Sequence, residues 1–278
     1  MTASRFNSRL EAIDEGSQEF LQRLIELGGY CTADQANRIT LSDESTGTRG
    51  RLRALERARF LRRITRYPVI YQVTKSAVRL IARDSSARRS HVTATIQARL
   101  LGVSFYLEAK EWPAQFVFDH EEKITAFHNA GCPATALPQR AVEPYLWEEF
   151  VLPFDYGISV AMIDHTHRSC FWQALGFVRR FVPALKVLGH KLGLTIVIGS
   201  ETRYRTYSRL VHHRTLKKAA GMDLDMFLSP YLVQGANLSI PQLIWPAQAH
   251  PEEFDEAESA PINNNFVRSR LSAPTEAP

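Results

Sequence analysis

Two short runs, "GISVAMID" at Gly157–Asp164 and "LTIVIG" at Leu194–Gly199, constrain the fold most. Each is almost wholly apolar and rich in β-branched residues, as strands covered on both faces are. Between them lies "SCFWQALGFVRRFVPALKVLGHKLG", in which Phe171, Leu175, Val178, Val182 and Leu185 recur at helical spacing. Strand, helix and strand in this order imply a parallel pair with a crossover. The expected class is therefore α/β. Pro183 is expected to kink or restart the crossover helix. A further helix carrying Arg203, Arg205 and Arg209 is expected from about Ser200.

The charge is uneven along the chain. Residues 1–90 hold 17 Lys/Arg against 10 Asp/Glu, whereas residues 91–278 hold 17 against 19. Within "RGRLRALERARFLRRITRYPVIYQVT" (Arg49–Thr74), the first eighteen residues hold eight bases, all of them arginine. Such asymmetry points to a basic module joined to a neutral one. The plain alternative is a solvated charged face, but arginine is the better fork for phosphates and guanine edges.

The residues around the arginines set their context. Phe20, Leu21, Leu24, Ile25 and Leu27 predict a helix from about Ser17, which Gly28-Gly29 ends. Thr32 with Gln35 is a capping-box pair, so a second short helix begins at Thr32 and faces Ala36 and Ile39 inward. A third helix is expected from Ser45 to Arg57. Leu52 and Leu55 lie on its inner side. Thr46, Gly50, Arg53 and Arg57 lie on its outer side, with Arg49 and Arg51 on the flanks and Thr48 beside the leucines. "RFLRRI" and "VIYQV" then read as a hairpin whose tip holds Arg66, and Thr74 caps a helix "KSAVRLIAR". Helix, helix, basic helix, hairpin and helix is winged helix-turn-helix order. The residues expected to bind DNA are Thr46, Thr48, Arg49, Arg51, Arg53, Arg57 and Arg66.

The expected domains are a winged helix-turn-helix at 1–84, an α/β domain at 91–248 and a disordered acidic, Pro-rich tail at 249–278, with "DSSARRS" (Asp84–Ser90) as the linker. "LSPYLVQGANLSIPQLIWPAQ" has too many prolines for a long helix and reads as a wrapping segment. No apolar stretch is long enough for a membrane span, the N-terminus lacks a secretory signal core, and Cys31, Cys132 and Cys170 fit neither a disulfide framework nor zinc spacing. A cytoplasmic protein with buried thiols is expected.

Taken together, "FLQRLIELGGYCTADQANRI", "RGRLRALERARFLRRI" and "PVIYQVTKSAVRLI", followed by "ISVAMID", "ALGFVRRFVPALKVL" and "LTIVIGSETRYRTYSRL", resemble the replication-relaxation type proteins over residues 17–213. The resemblance rests on pattern and order, not on an invariant motif. It implies a winged helix of plasmids and integrative conjugative elements, with a second domain similar to a restriction-endonuclease-like core. It also implies binding of double-stranded DNA.

Candidate chemistry is sparse. A nuclease of that class needs an acid, then an Asp/Glu-x-Lys strand, to hold a divalent metal. Asp155 and Asp164 are the candidate acids and Glu149 a third, but Thr166 stands where lysine is needed, so the core reads as degenerate. His165 and His167 beside Asp164 lack an evident third metal ligand. His212-His213 read as helix-end or DNA-facing residues, and Cys132, four residues after His128, as a buried or loop thiol. The expectation is a non-catalytic, cofactor-free and metal-free regulator of transcription. It would bind as a homodimer, and its α/β domain would dimerise, sense a signal or contact a protein partner. A replication or transfer accessory protein, a metal-dependent nuclease and a protein-interaction role such as an autorepressing antitoxin remain the alternatives.

Overall fold

A computed structural model of the chain describes residues 13–39, 47–66, 68–82, 92–147, 149–164 and 169–234. The expected linker at 84–90, the tail at 249–278, Thr46, Thr166, His165 and His167 lie outside these residues.

The chain enters through helix α1 (Glu15–Glu26), capped by Asp14, whose carboxylate accepts the Ser17 N–H at 2.8 Å. Gly28 and Gly29, with φ of 97° and 82°, turn it out of the helix as expected. A strand that the sequence reading lacked follows, β1 (Tyr30–Thr32), and leads into α2 (Ala33–Ile39). The capping box closes in both directions: Gln35 N–H donates to Thr32 Oγ1 at 3.1 Å, and Thr32 N–H donates to Gln35 Oε1 at 3.0 Å. Helix α3 (Gly47–Arg57) buries Leu52 and Leu55. Strands β2 (Leu61–Arg66) and β3 (Val69–Val73) form the expected hairpin, and α4 (Lys75–Ile81) starts from Thr74. All pairing in this sheet is antiparallel, in the order β1-β3-β2.

Helix α5 (Thr93–Ala109) is apolar nearly all round. Val103 and Leu107 join the core of α1–α4, and Ile96 and Leu100 pack with Tyr30 and Ile70. Leu101, Phe105 and Ala109, spaced four apart, pack against Leu152, Ala161 and Val197 of the second sheet. Helix α5, which follows the expected border at 84–91, thus packs on both sheets, and all the described residues belong to one compact unit.

The second sheet follows helix α6 (His120–Asn129), where the sequence reading had no helix. Asp119 caps it by accepting the N–H groups of Glu121 and Glu122 at 2.9 and 3.1 Å. After a small ladder of β4 (Gln139–Arg140) and β5 (Glu143–Pro144), strands β6 (Phe150–Phe154) and β7 (Gly157–Asp164) form an antiparallel hairpin. Helix α7 (Cys170–Leu188) crosses over to β8 (Leu192–Ile198), which lies parallel to β7. Helices α8 (Glu201–Val211) and α9 (Arg214–Ala220) lead to β9 (Leu228–Leu232), parallel to β8. The order is β6-β7-β8-β9, a mixed α/β arrangement.

Side-chain alternation places this sheet between layers. Ile158, Val160, Leu194, Ile196 and Ile198 face α7 and α8, while Ala161 and Val197 face α5. Gly157 fits a close approach, since a Cβ there would stand 2.2 Å from the Lys191 carbonyl oxygen.

Helix α7 does not restart at Pro183, which lies inside it on the exposed face, where water can satisfy the carbonyl it leaves unbonded. The segment expected to wrap begins as strand β9, and its residues 235–248 lie outside the described residues. Its Pro230 is tolerated because β9 pairs with β8 alone, at the sheet edge. The three cysteines are free thiols and all are buried.

Gln35 joins the two halves. Its Nε2 donates to Leu100 O and Ser104 Oγ of α5, each at 2.9 Å. Gln35→Ala is expected to destabilise the fold by about 2–3 kcal/mol, and Thr32→Ala by only about 1 kcal/mol, since the first removes a cap and leaves buried polar groups unpaired. Urea denaturation of the two variants checks this order.

Lys123 of α6 is buried and donates to the carbonyls of Leu146 and Glu149 at 3.0 and 2.8 Å. Burial lowers its pKa from 10.5 to about 8, against the opposing pull of Glu149 and Asp119. Below about 8 the ammonium is charged in both the folded and unfolded chain, and its destabilisation is present in full. From there toward 10.5 the unfolded chain holds more protons, so stability rises with pH. Denaturation of wild type and Lys123→Met across this range should show the rise in wild type only.

Candidate nucleic-acid interface

Between Gly47 and Arg66, eight arginines meet one carboxylate, Glu56. The fold sorts these arginines. Arg49, Arg53 and Arg57 stand four residues apart on α3 and are all exposed, opposite the buried Leu52 and Leu55. They form a ladder about 12 Å long, at 1.5 Å of rise per residue. Arg66, the last residue of β2, is exposed at the hairpin. The tip is held by the Thr65 hydroxyl, which donates to Pro68 O and accepts the Ile70 N–H at 3.0 Å.

The remaining predicted residues are placed differently. Arg51 is half-buried and turned toward the start of α1, where a Cβ on Gly16 would stand 3.5 Å from its Nη1. The Ser17 backbone N–H, the Ser17 hydroxyl and the Arg51 charge hold the Asp14 carboxyl below its ordinary value, overcoming the opposite push of burial. Arg51 thus lies against the α1 cap and not on the outer flank expected of it. The Thr48 hydroxyl donates to Asn37 Oδ1, pinning α3 to α2.

Sequence reasoning passed over Arg59 and Arg63, which are also exposed. Arg59 takes a φ of 61° where the chain leaves α3, and its carbonyl accepts from the Thr74 hydroxyl at 2.8 Å. Arg63 Nε lies 3.8 Å from Glu56 Oε1. Arg62 is structural, its Nε donating to Gln72 Oε1 at 2.8 Å. The period of two in β2 separates Arg63 from Arg62, a signal readable once the strand is known.

Asp155 and Asp164, the acids expected of a nuclease, do not converge. Asp155 is exposed in the β6–β7 turn and Asp164 ends β7, so the length of that strand, roughly 23 Å, separates them. The Asp164 carboxylate is fully buried and gripped by both arms of Arg203, Nε to Oδ2 at 2.6 Å and Nη2 to Oδ1 at 3.1 Å. Glu149 is buried with Arg180 Nη1 at 2.6 Å from its Oε1. Among the described residues no group of three His, Cys, Asp or Glu could hold a metal ion.

The histidine pair is taken up within the fold. His212 Nδ1 lies 2.9 Å from Asp225 Oδ1, and His213 Nδ1 accepts the Thr215 N–H at 3.2 Å as the cap of α9. Cys132 is buried, which pushes its thiol pKa up, and His128 is exposed. No helix among the described residues is long and apolar enough to cross a membrane.

Comparison of the chain with protein-family models, with curated proteins and with solved structures finds no match in any of the three.

The bidentate pair makes Asp164 a structural residue. Asp164→Ala should destabilise the fold by about 3 kcal/mol by stranding a half-buried guanidinium. Thermal unfolding should show the same loss with and without added magnesium. A loss seen only with the metal would instead assign Asp164 to a metal site.

Proposed function

We propose that the chain is a sequence-specific DNA-binding regulator whose reading head is α3 and the β2–β3 hairpin. One observation carries this reading: Arg49, Arg53 and Arg57 stand in an exposed line on a helix whose opposite side is locked into the core. A helix with one side so anchored can enter a major groove without losing its packing, and its arginines then reach phosphates and base edges.

The order of elements supports a winged helix-turn-helix. Helix, short strand, helix, basic helix and hairpin occur in sequence, with the first strand pairing inside the hairpin sheet. Arg63 and Arg66 are exposed on the wing strand of that arrangement, placed to reach the backbone beside the groove. The Asp164–Arg203 and Glu149–Arg180 pairs support a non-catalytic second sheet, because both buried candidate acids already have an arginine, and Asp155 stands apart from them in an exposed turn. We assign that half to dimerisation or signal input, with two copies of α3 reading a two-fold symmetric site. The resemblance to replication-relaxation proteins extends the proposal to gene control in a plasmid or integrative conjugative element.

The test is genomic footprinting followed by titration of the duplex found. Wild type should bind that duplex more tightly than a scrambled one. Arg49→Ala/Arg53→Ala/Arg57→Ala should weaken binding roughly tenfold or more and lower the slope of log affinity against log salt by about 3, at about 0.9 per lost phosphate contact. Unchanged affinity in the triple variant would sink the assignment. A footprint at a replication or transfer origin, not at a promoter, would make the chain an accessory protein of those processes.

A further inference from the structure

We infer that the outer faces of α7 and α9 form a second nucleic-acid surface, which takes single-stranded DNA or RNA by stacking a base on Trp172 and holding its phosphates with Arg179, Arg214 and Lys218. This goes beyond the proposed reading of duplex by α3 and does not use that helix.

Charge comes first. Helices α7 and α9 together carry six Lys/Arg and no Asp or Glu. Two of the six are neutralised inside the fold, Arg180 by Glu149 and Lys217 by Asp223 and Asp225. Arg179, Lys186, Arg214 and Lys218 have no ion pair among the described residues, and all four are exposed. The two helices are joined through the core by Leu216, which is buried in the same cluster as Leu175 and Val178. They are joined at the surface by Arg179 Nη2, which donates to Ala219 O at 3.2 Å. That contact sets the Arg179 side chain beside Lys218, and Arg214 lies one turn before Lys218 on the same side of α9.

The aromatic component is on the same face. Trp172 is 66% exposed, an unusual placing for the largest side chain on a helix whose other aromatics are buried or half-buried. Phe171 meets its ring edge-on at 5.1 Å between centroids and 82° between planes, which steadies the indole. One turn on stands Gly176, exposed, with no atom within 4 Å of where its Cβ would be. Glycine inside a helix is destabilising, and no packing neighbour requires it here. Its effect is to leave a flat, open strip beside the indole, followed by Arg179 about 10 Å from Trp172 along the axis.

A planar apolar platform next to uncompensated cations suits a strand that offers both a free base face and phosphates. A duplex keeps its bases stacked on one another, and an acidic peptide has no planar group to lay on the strip. Single-stranded nucleic acid is therefore the occupant that uses both features.

Fluorescence anisotropy of the full chain with a short labelled oligothymidylate tests this. Trp172→Ala should weaken binding about tenfold, while Trp172→Phe, which keeps an aromatic face, should retain most of the affinity. Arg179→Ala/Arg214→Ala/Lys218→Ala should weaken binding and flatten its salt dependence. Arg49→Ala/Arg53→Ala/Arg57→Ala should leave it unchanged, so this surface and the α3 reading fail separately. Wild-type affinity in Trp172→Ala would overturn the proposal. Equal binding of an abasic strand, loss of single-strand binding in the α3 variant, or competition by poly-glutamate that is indifferent to Trp172 would each overturn it as well.

Discussion

The packing of α5 on both of its sides is the constraint on which the rest depends. A helix with one apolar stripe would serve one sheet and leave the other half to fold alone. Here Leu101, Phe105 and Ala109 fill the layer above β6–β9, while Val103 and Leu107 join the core of α1–α4 and Ile96 and Leu100 pack with Tyr30 and Ile70 of the first sheet. Polar ties reinforce the seam: Arg99 Nη1 donates to Gly28 O at 2.5 Å, Lys110 Nζ donates to Arg38 O at 3.0 Å, and Gln35 bonds into the helix backbone. The Arg23 guanidinium lies 4.8 Å from the Phe118 ring centroid, adding an aromatic contact at the same junction. The basic helix α3 buries Leu52 and Leu55 in the same core that receives Val103 and Leu107 of α5.

Arginine is used in two ways, and burial decides which. Where a guanidinium meets a buried carboxylate or amide, as Arg203, Arg180 and Arg62 do, it is a structural fork. Where it projects from a helix whose other side is core, as at Arg49, Arg53 and Arg57, it keeps its charge for solvent or a partner. The same residue type within one short stretch serves both purposes because α3 and β2 have different periods.

Local signals were legible wherever the deciding contact lies within a few residues. The Thr32–Gln35 box, the Gly28-Gly29 stop, the Thr74 cap and the leucines of α3 are all of this kind. Helix α6 was equally readable, since Asp119 with Glu121 and Glu122 is a start signal, but its few apolar residues hid it. Strands β6 and β9 were not readable, because each contains a proline that a central strand would reject. Only their places at the two edges of the sheet make them acceptable. Of the candidate site, the α3 ladder was legible from the helical wheel. The withdrawal of Arg51 and Thr48 was not, because their partners, Asp14 and Asn37, lie on other helices.

By itself the sequence determined the periodic and the punctuated: the parallel strand pair around its crossover helix, the capped helices, the hairpin and the side of α3 that bears charge. These follow from short-range sterics, hydrogen bonding and the apolar period, which act within a few residues whatever the rest of the chain does. Tertiary structure alone decided that the two sheets share α5, that Asp164 and Glu149 go to Arg203 and Arg180, and which arginines stay exposed. Those outcomes depend on which surfaces meet after folding, where desolvation forces every buried charge to find a partner, and nothing in the local pattern names that partner.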